Sequence, residues 1–142
     1  MRFSIHKGFV SLHRRGKASG IPRMIGGSAW RKNPIVYAVE HGLDQVGVLD
    51  PAAIRETVVN EPLINWRSID GDAALTAIRA TSGHAGWATD RRMKEMASLL
   101  RKQQALHVLP ASTAGLIALL DLHAVNPLPP DRYVVVLTGR SS

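Results

Sequence analysis

VLPASTAGLIALLDL, residues 108–122, leads through a proline-rich turn into RYVVVLTGR, residues 132–140. In the first stretch a proline and a run of small residues precede leucines and an isoleucine at helical spacing, which predicts a largely buried helix. The second is a short, continuous, β-branched run that ends in Thr138-Gly139. Such a run suits a strand covered on both faces, as in a parallel sheet flanked by helices. Function in these sheets gathers where strands end, and Thr138 would stand there.

Working outward, the remaining segments alternate in the same way. Ile5, Phe9 and Leu12 share one face of an amphipathic helix that should stop near Gly16 or Gly20, with His13-Arg14-Arg15-Gly16-Lys17 as its solvated basic end. Ile21–Ala29 reads as a short strand, and Asn33-Pro34 supplies a cap and a first-turn proline for a helix over Pro34–Glu40. Leu43–Trp66 is a winding connection with one short helix expected at Ala52–Val58, and its Asn60–Trp66 end is either a ligand-facing loop or, as the default, a packed connector anchored by Trp66. A helix over Asp72–Ala80 and a brief strand over His84–Ala88 follow. Thr89 caps the next helix, whose Met93, Met96, Ala97 and Leu100 form a core stripe. Leu106–Leu109 should be another short strand. Alternation of this kind predicts an α/β fold: a three-layer domain with a mainly parallel sheet flanked by helices.

The bulk composition narrows the function. The 142 residues fit one domain, and an apolar fraction of 45% supports a real core. With no cysteine there is no disulfide framework, thiolate metal site or thiol nucleophile, which fits a reducing compartment, with the cytosol as the default. No apolar run reaches membrane-spanning length, and MRFSIHKGF lacks the apolar core of a signal peptide. The net charge of +7 permits anionic partners without choosing among them.

Few residues form a recognisable catalytic constellation. None of the six histidines pairs as HxxxH or HExxH, so no metal site is expected. Ser112 lies in ASTAG, outside any GxSxG elbow, and has no evident triad partner. The glycine pair Gly26-Gly27 lacks phosphate-loop spacing and suits a tight turn better. Small residues from Ala111 to Gly115 allow close approach either of another backbone or of a flat ring, and spacing alone leaves both open. Thr138 could present a hydroxyl to a ring nitrogen or simply end a strand.

Several stretches, taken in order, resemble the C-terminal part of threonine synthases, within the fold-type-II enzymes that use pyridoxal 5′-phosphate. Ile21-Pro22-Arg23-Met24-Ile25-Gly26 and Asn33-Pro34-Ile35 resemble that family's IPRxIG and NPI stretch, and Asn65-Trp66 its P-x-x-W turn. Pro110–Leu116 resembles its EPASAAGL segment, and Val134–Gly139 its final VVxLTG strand. The resemblance implies that Thr138 faces the pyridine nitrogen of the cofactor, and that Ser112, Thr113 and Gly115 lie in the wall beside the ring. The family's cofactor-linking lysine and glycine-rich phosphate loop precede the matched region and have no counterpart in residues 1–142.

The implied protein is therefore one α/β domain, incomplete relative to a full lyase that performs elimination or replacement on a small amino acid. It would bind no cofactor alone, and its partner would be the N-terminal half of the enzyme or a second copy in a homodimer. The chain departs from the family pattern at Leu109, where glutamate is usual, at Trp30-Arg31-Lys32, and over Thr57–Pro62. The alternative is a non-catalytic α/β binding or regulatory module whose basic surface meets a polyanion or a protein.

Overall fold

The computed structural model describes residues 4–140. Helix α1 spans Ser4–Arg14 and ends at Gly16, whose φ of +65° suits glycine. Strand β1 (Ile25–Ala29) leads into helix α2 (Pro34–Glu40), where the Asn33 side chain accepts from the Ile35 and Val36 amides. Helix α3 (Gly71–Ala80) precedes strand β2 (His84–Ala88), which pairs with β1 in parallel, Gly27 opposite Gly86. Helix α4 (Asp90–Gln104) starts at Thr89, whose hydroxyl accepts from the Arg92 amide, and closes on Ala105 in the left-handed region. A 3-10 turn, Pro110–Thr113, then runs directly into helix α5 (Ala114–Val125).

The sheet lies between two helical layers, as its apolar side chains require. On one face Ile35 and Val36 of α2, Ala74 and Ile78 of α3 and Ala85 of β2 form a buried cluster. On the other, Ala88, Met93, Ala114 and Ile117 close a second cluster from β2, α4 and α5. The α/β expectation thus holds, with a parallel sheet covered on both sides, but the sheet has two strands among the described residues.

Three local expectations are corrected. Neither Leu106–Leu109 nor Arg132–Arg140 forms a strand, and what remains of both is one isolated antiparallel bridge, Val108 to Arg140. The described residues offer no neighbouring strand to Tyr133–Thr138, so its backbone has no ladder to join. The helix expected at Ala52–Val58 shrinks to one 3-10 turn, Pro51–Ala53, capped by Asp50. That stretch has no apolar stripe to bury: Ala52 and Ala53 are exposed and Val58 stands fully in solvent. Trp66 is also exposed, and the connection is anchored by buried Asn60 instead.

Candidate functional site

The candidate site is built where α5 begins. Gly27 of β1 and Gly86 of β2 are opposed in the sheet, and both face this helix. A Cβ at Gly27 would collide with the Ala114 carbonyl and the Gly115 amide, and one at Gly86 would lie 3.1 Å from the Ala118 Cβ. Gly26-Gly27, expected in a tight turn, therefore lies within β1 instead, where glycine in the strands and alanine on the helix let the two backbones touch. Ala114 and Ala118 are accordingly buried. On this side, the small residues of the Ala111–Gly115 run serve helix-on-sheet packing.

Gly115 points elsewhere. An added Cβ there meets nothing within 4 Å, so beside the packed Ala114 the backbone borders open space. Ser112 is half-buried, and its hydroxyl donates to the Leu109 carbonyl at 2.8 Å. Thr113 is fully buried, and its hydroxyl donates to the Pro110 carbonyl at 2.7 Å. Thr113 thus holds the 3-10 turn together from inside, leaving Ser112 and Gly115 toward the outside.

The chain end returns to this turn. The Leu109 amide donates to the Gly139 carbonyl at 3.0 Å, next to the Val108–Arg140 bridge. Gly139 lies close against the Leu109 side chain, so that a Cβ there would fall 2.5 Å from the Leu109 Cδ1 unless the leucine turned aside. Leu109 thereby packs on the tail. Thr138, an exposed residue, immediately precedes Gly139 in this contact and lies two positions before the bridge. Ser112, Thr113 and Gly115 thus stand together at the start of α5, and Thr138 is linked to them through its neighbour Gly139, which meets Leu109.

Two polar clusters escaped the sequence reading. At the C-terminal end of β2, the Asp90 carboxylate accepts from the Thr57 hydroxyl at 2.7 Å and from the Asn60 amide at 3.1 Å. Partial burial raises its pKa, but these hydrogen bonds, aided by Lys32 and Lys94, outweigh burial and hold it below the usual carboxylate range. This network ties the Leu43–Trp66 connection to α4; its groups satisfy one another, so it is structural. Asn60 and Asp90 are 30 residues apart, and no local pattern links them.

The other cluster joins α4 to α5. Arg92 donates two bonds of 2.6 Å to Asp121. The Arg92 bonds lower the pKa of Asp121, against a smaller effect of burial. His84 is lowered by burial and then by Arg23, with Asp121 opposing. Among the described residues no three His, Asp or Glu side chains gather as a metal site. No described helix is long and apolar enough to cross a membrane. A shallow concavity of about 660 Å³ between α1 and α3 is lined by Lys7, Arg14 and Arg15 together with Ser11, Ala73 and Thr76.

No protein-family model matches the chain. It is 30% identical over 135 residues to the threonine synthase of Methanosarcina acetivorans, and 27% identical over 137 residues to that of Methanocaldococcus jannaschii. Each alignment takes in 95% of this chain and 32% of the relative. The chain thus spans about a third of the length of the curated relatives it matches, and it resembles a C-terminal part of them.

Proposed function

We propose that this chain is a C-terminal segment of a threonine synthase-like, pyridoxal 5′-phosphate-dependent lyase that acts on a small amino acid by elimination or replacement. One observation carries the reading: the Leu109 amide, just before PASTAG, bonds the carbonyl of Gly139, which ends VVLTG, so the two family-like motifs are tied together. The residues fit the cofactor. Gly115 borders open space where a flat ring can approach, Ser112 offers a hydroxyl at the start of α5, and Thr138 an exposed one next to the Leu109–Gly139 contact.

Bound there, the cofactor would supply an electron sink for bond cleavage at the amino acid. The chain's own residues would bind and orient it. Thr138 would exchange a hydrogen bond with the ring nitrogen through its hydroxyl. Gly115 would leave the ring face unobstructed, Ser112 would add a polar edge to the wall, and Thr113 would hold the turn rigid through the Pro110 carbonyl. A covalent lysine and a phosphate cradle must come from the preceding portion of such an enzyme, which makes that portion the partner and this chain incompetent alone.

The reading is tested in a complex of this chain with the first two-thirds of the Methanosarcina acetivorans threonine synthase, obtained by co-expression. Thr138→Val should leave assembly intact and weaken cofactor retention at least tenfold. Equal retention by the variant would count against the assignment of Thr138.

The basic concavity between α1 and α3 favours a second reading, a non-catalytic module that binds a polyanion. Retention on RNA that falls steeply with salt would support it. Negligible retention at low salt would remove it.

A further inference from the structure

Charge is segregated along this chain. Residues 1–39 hold eight of the 18 Lys and Arg residues and no Asp or Glu, so the whole net charge of +7 belongs to this segment. Helix α1 gathers part of it on one face. Ile5, Phe9 and Leu12 form the apolar stripe of α1, while Lys7, Ser11 and Arg14, spaced i, i+4 and i+7, share the opposite face. This polar face turns toward α3 and lines the concavity of about 660 Å³, with Ala73 and Ala77 across from it.

The fold leaves that wall unneutralised. Among the described residues, no carboxylate lines the concavity, and the side chains of Lys7, Arg14 and Arg15 make no hydrogen bond or ion pair. Other cations of the segment are engaged: Arg23 donates to the Ser82 carbonyl, Lys32 to the Arg55 carbonyl, and Arg31 lies over the Trp30 ring. The helix dipole accounts for Arg14 and Arg15 at the C-terminal end of α1. It works against Lys7, in the first turns, where no acidic residue offsets it. Helix α1 also lacks support, since none of its described residues enters either buried cluster, and 11 residues alone make a marginal helix in water.

We propose that the groove between α1 and α3 binds a small oligophosphate, a chain of two or more linked phosphates, and that binding orders α1. The inference narrows the polyanion reading above to one ligand class. It is independent of the lyase reading, because α3 packs on the face of the sheet opposite α5. Lys7 and Arg14 stand about 10 Å apart along the helix, which suits an anion spread along the groove better than a single phosphate. Arg15 adds a third charge, and Ser11, midway between the first two, adds a hydroxyl donor. A nucleic acid draws its affinity from many phosphates, and three cations engage too few of them. These groups align only while α1 is helical, so a ligand that bridges them stabilises the helix by linkage.

Calorimetric titration of the whole chain at low salt tests this with inorganic tripolyphosphate, ATP and orthophosphate. Tripolyphosphate and ATP should each bind at least tenfold tighter than orthophosphate; tighter binding of ATP would assign a nucleoside to the ligand, and equal binding a bare phosphate chain. Lys7→Gln combined with Arg14→Gln should weaken binding at least tenfold. Arg101→Gln combined with Lys102→Gln, which removes the same charge from the exposed end of α4, should leave it within twofold. In hydrogen exchange followed by mass spectrometry, tripolyphosphate should slow amides 8–14 at least fivefold. Equal losses in the two double variants, orthophosphate binding as tightly as tripolyphosphate, or unchanged exchange in α1 would overturn the site. Tighter binding of a short single-stranded RNA than of tripolyphosphate would overturn it in favour of the polyanion reading. If neither binds, both fall and the lyase reading stands.

Discussion

Pro110–Val125 and Arg132–Arg140 are both apolar and adjacent along the chain, yet one is built into the core and the other lies on the surface. In the first, Ala111, Thr113, Ala114, Ile117 and Ala118 are buried against β1, β2 and α4. In the second, every residue from Arg132 to Val136 is exposed. The difference comes from their partners. A helix satisfies its own backbone and needs only one apolar face to dock, which Gly27 and Gly86 provide. A strand needs neighbours for its backbone, and the two-stranded sheet offers none to Tyr133–Thr138.

Substitutions should separate the two regions sharply. Gly27→Val forces side-chain atoms into the Ala114 backbone, which cannot move without shifting α5 off the sheet, and should cost at least about 3 kcal/mol or abolish folding. Chemical denaturation of the purified variant measures this. Thr113→Val removes a buried hydroxyl from the Pro110 carbonyl and should cost about 1 kcal/mol by the same measurement.

Gly115→Ala marks the boundary between packing and open space. It adds a methyl where nothing is in contact and replaces a helical glycine, so it should stabilise the isolated chain by about 0.5 kcal/mol. In the assembled protein the same methyl should reduce cofactor retention. A loss of stability in the isolated chain would mean that the space beside α5 is filled. At the other extreme, Val134→Thr should change the stability of the isolated chain by no more than about 0.5 kcal/mol, as expected of an exposed side chain.

The pH dependence comes from groups at the edge of the packed region. Asp90 and Asp121 have lowered pKa values in the fold, so their stabilisation is fully present above the unfolded carboxylate range. It is lost as pH falls through their folded values, below about pH 4. Both groups are largely solvated and screening limits the effect. Asn60→Ala should therefore move the acid-unfolding midpoint to higher pH. His84, also lowered, opposes folding once pH drops below the ordinary imidazole range near 6.5, and His84→Gln should flatten that part of the profile. Unfolding midpoints measured from pH 7 to pH 3 test both.

What could be read from the sequence follows the same division. Asn33-Pro34 and Thr89 located the starts of α2 and α4 because capping is a contact between residues two or three apart. Met93 was placed in the core by a periodic stripe. The start of α5 remained ambiguous because its small residues serve two directions: Ala114 meets Gly27, while Gly115 meets nothing. Only the position of β1, some 90 residues earlier, decides between them. The Asn60–Asp90 link was invisible for the same reason, and the Arg132–Arg140 strand was expected from a pattern whose partners these residues do not contain.

The most direct test of the central claim is cofactor absorbance after gel filtration with pyridoxal 5′-phosphate. The chain alone should emerge free of cofactor, whereas its complex with the preceding two-thirds of a threonine synthase should retain about one equivalent. Retention of a full equivalent by the chain alone, or a tight complex that carries none, would contradict the account.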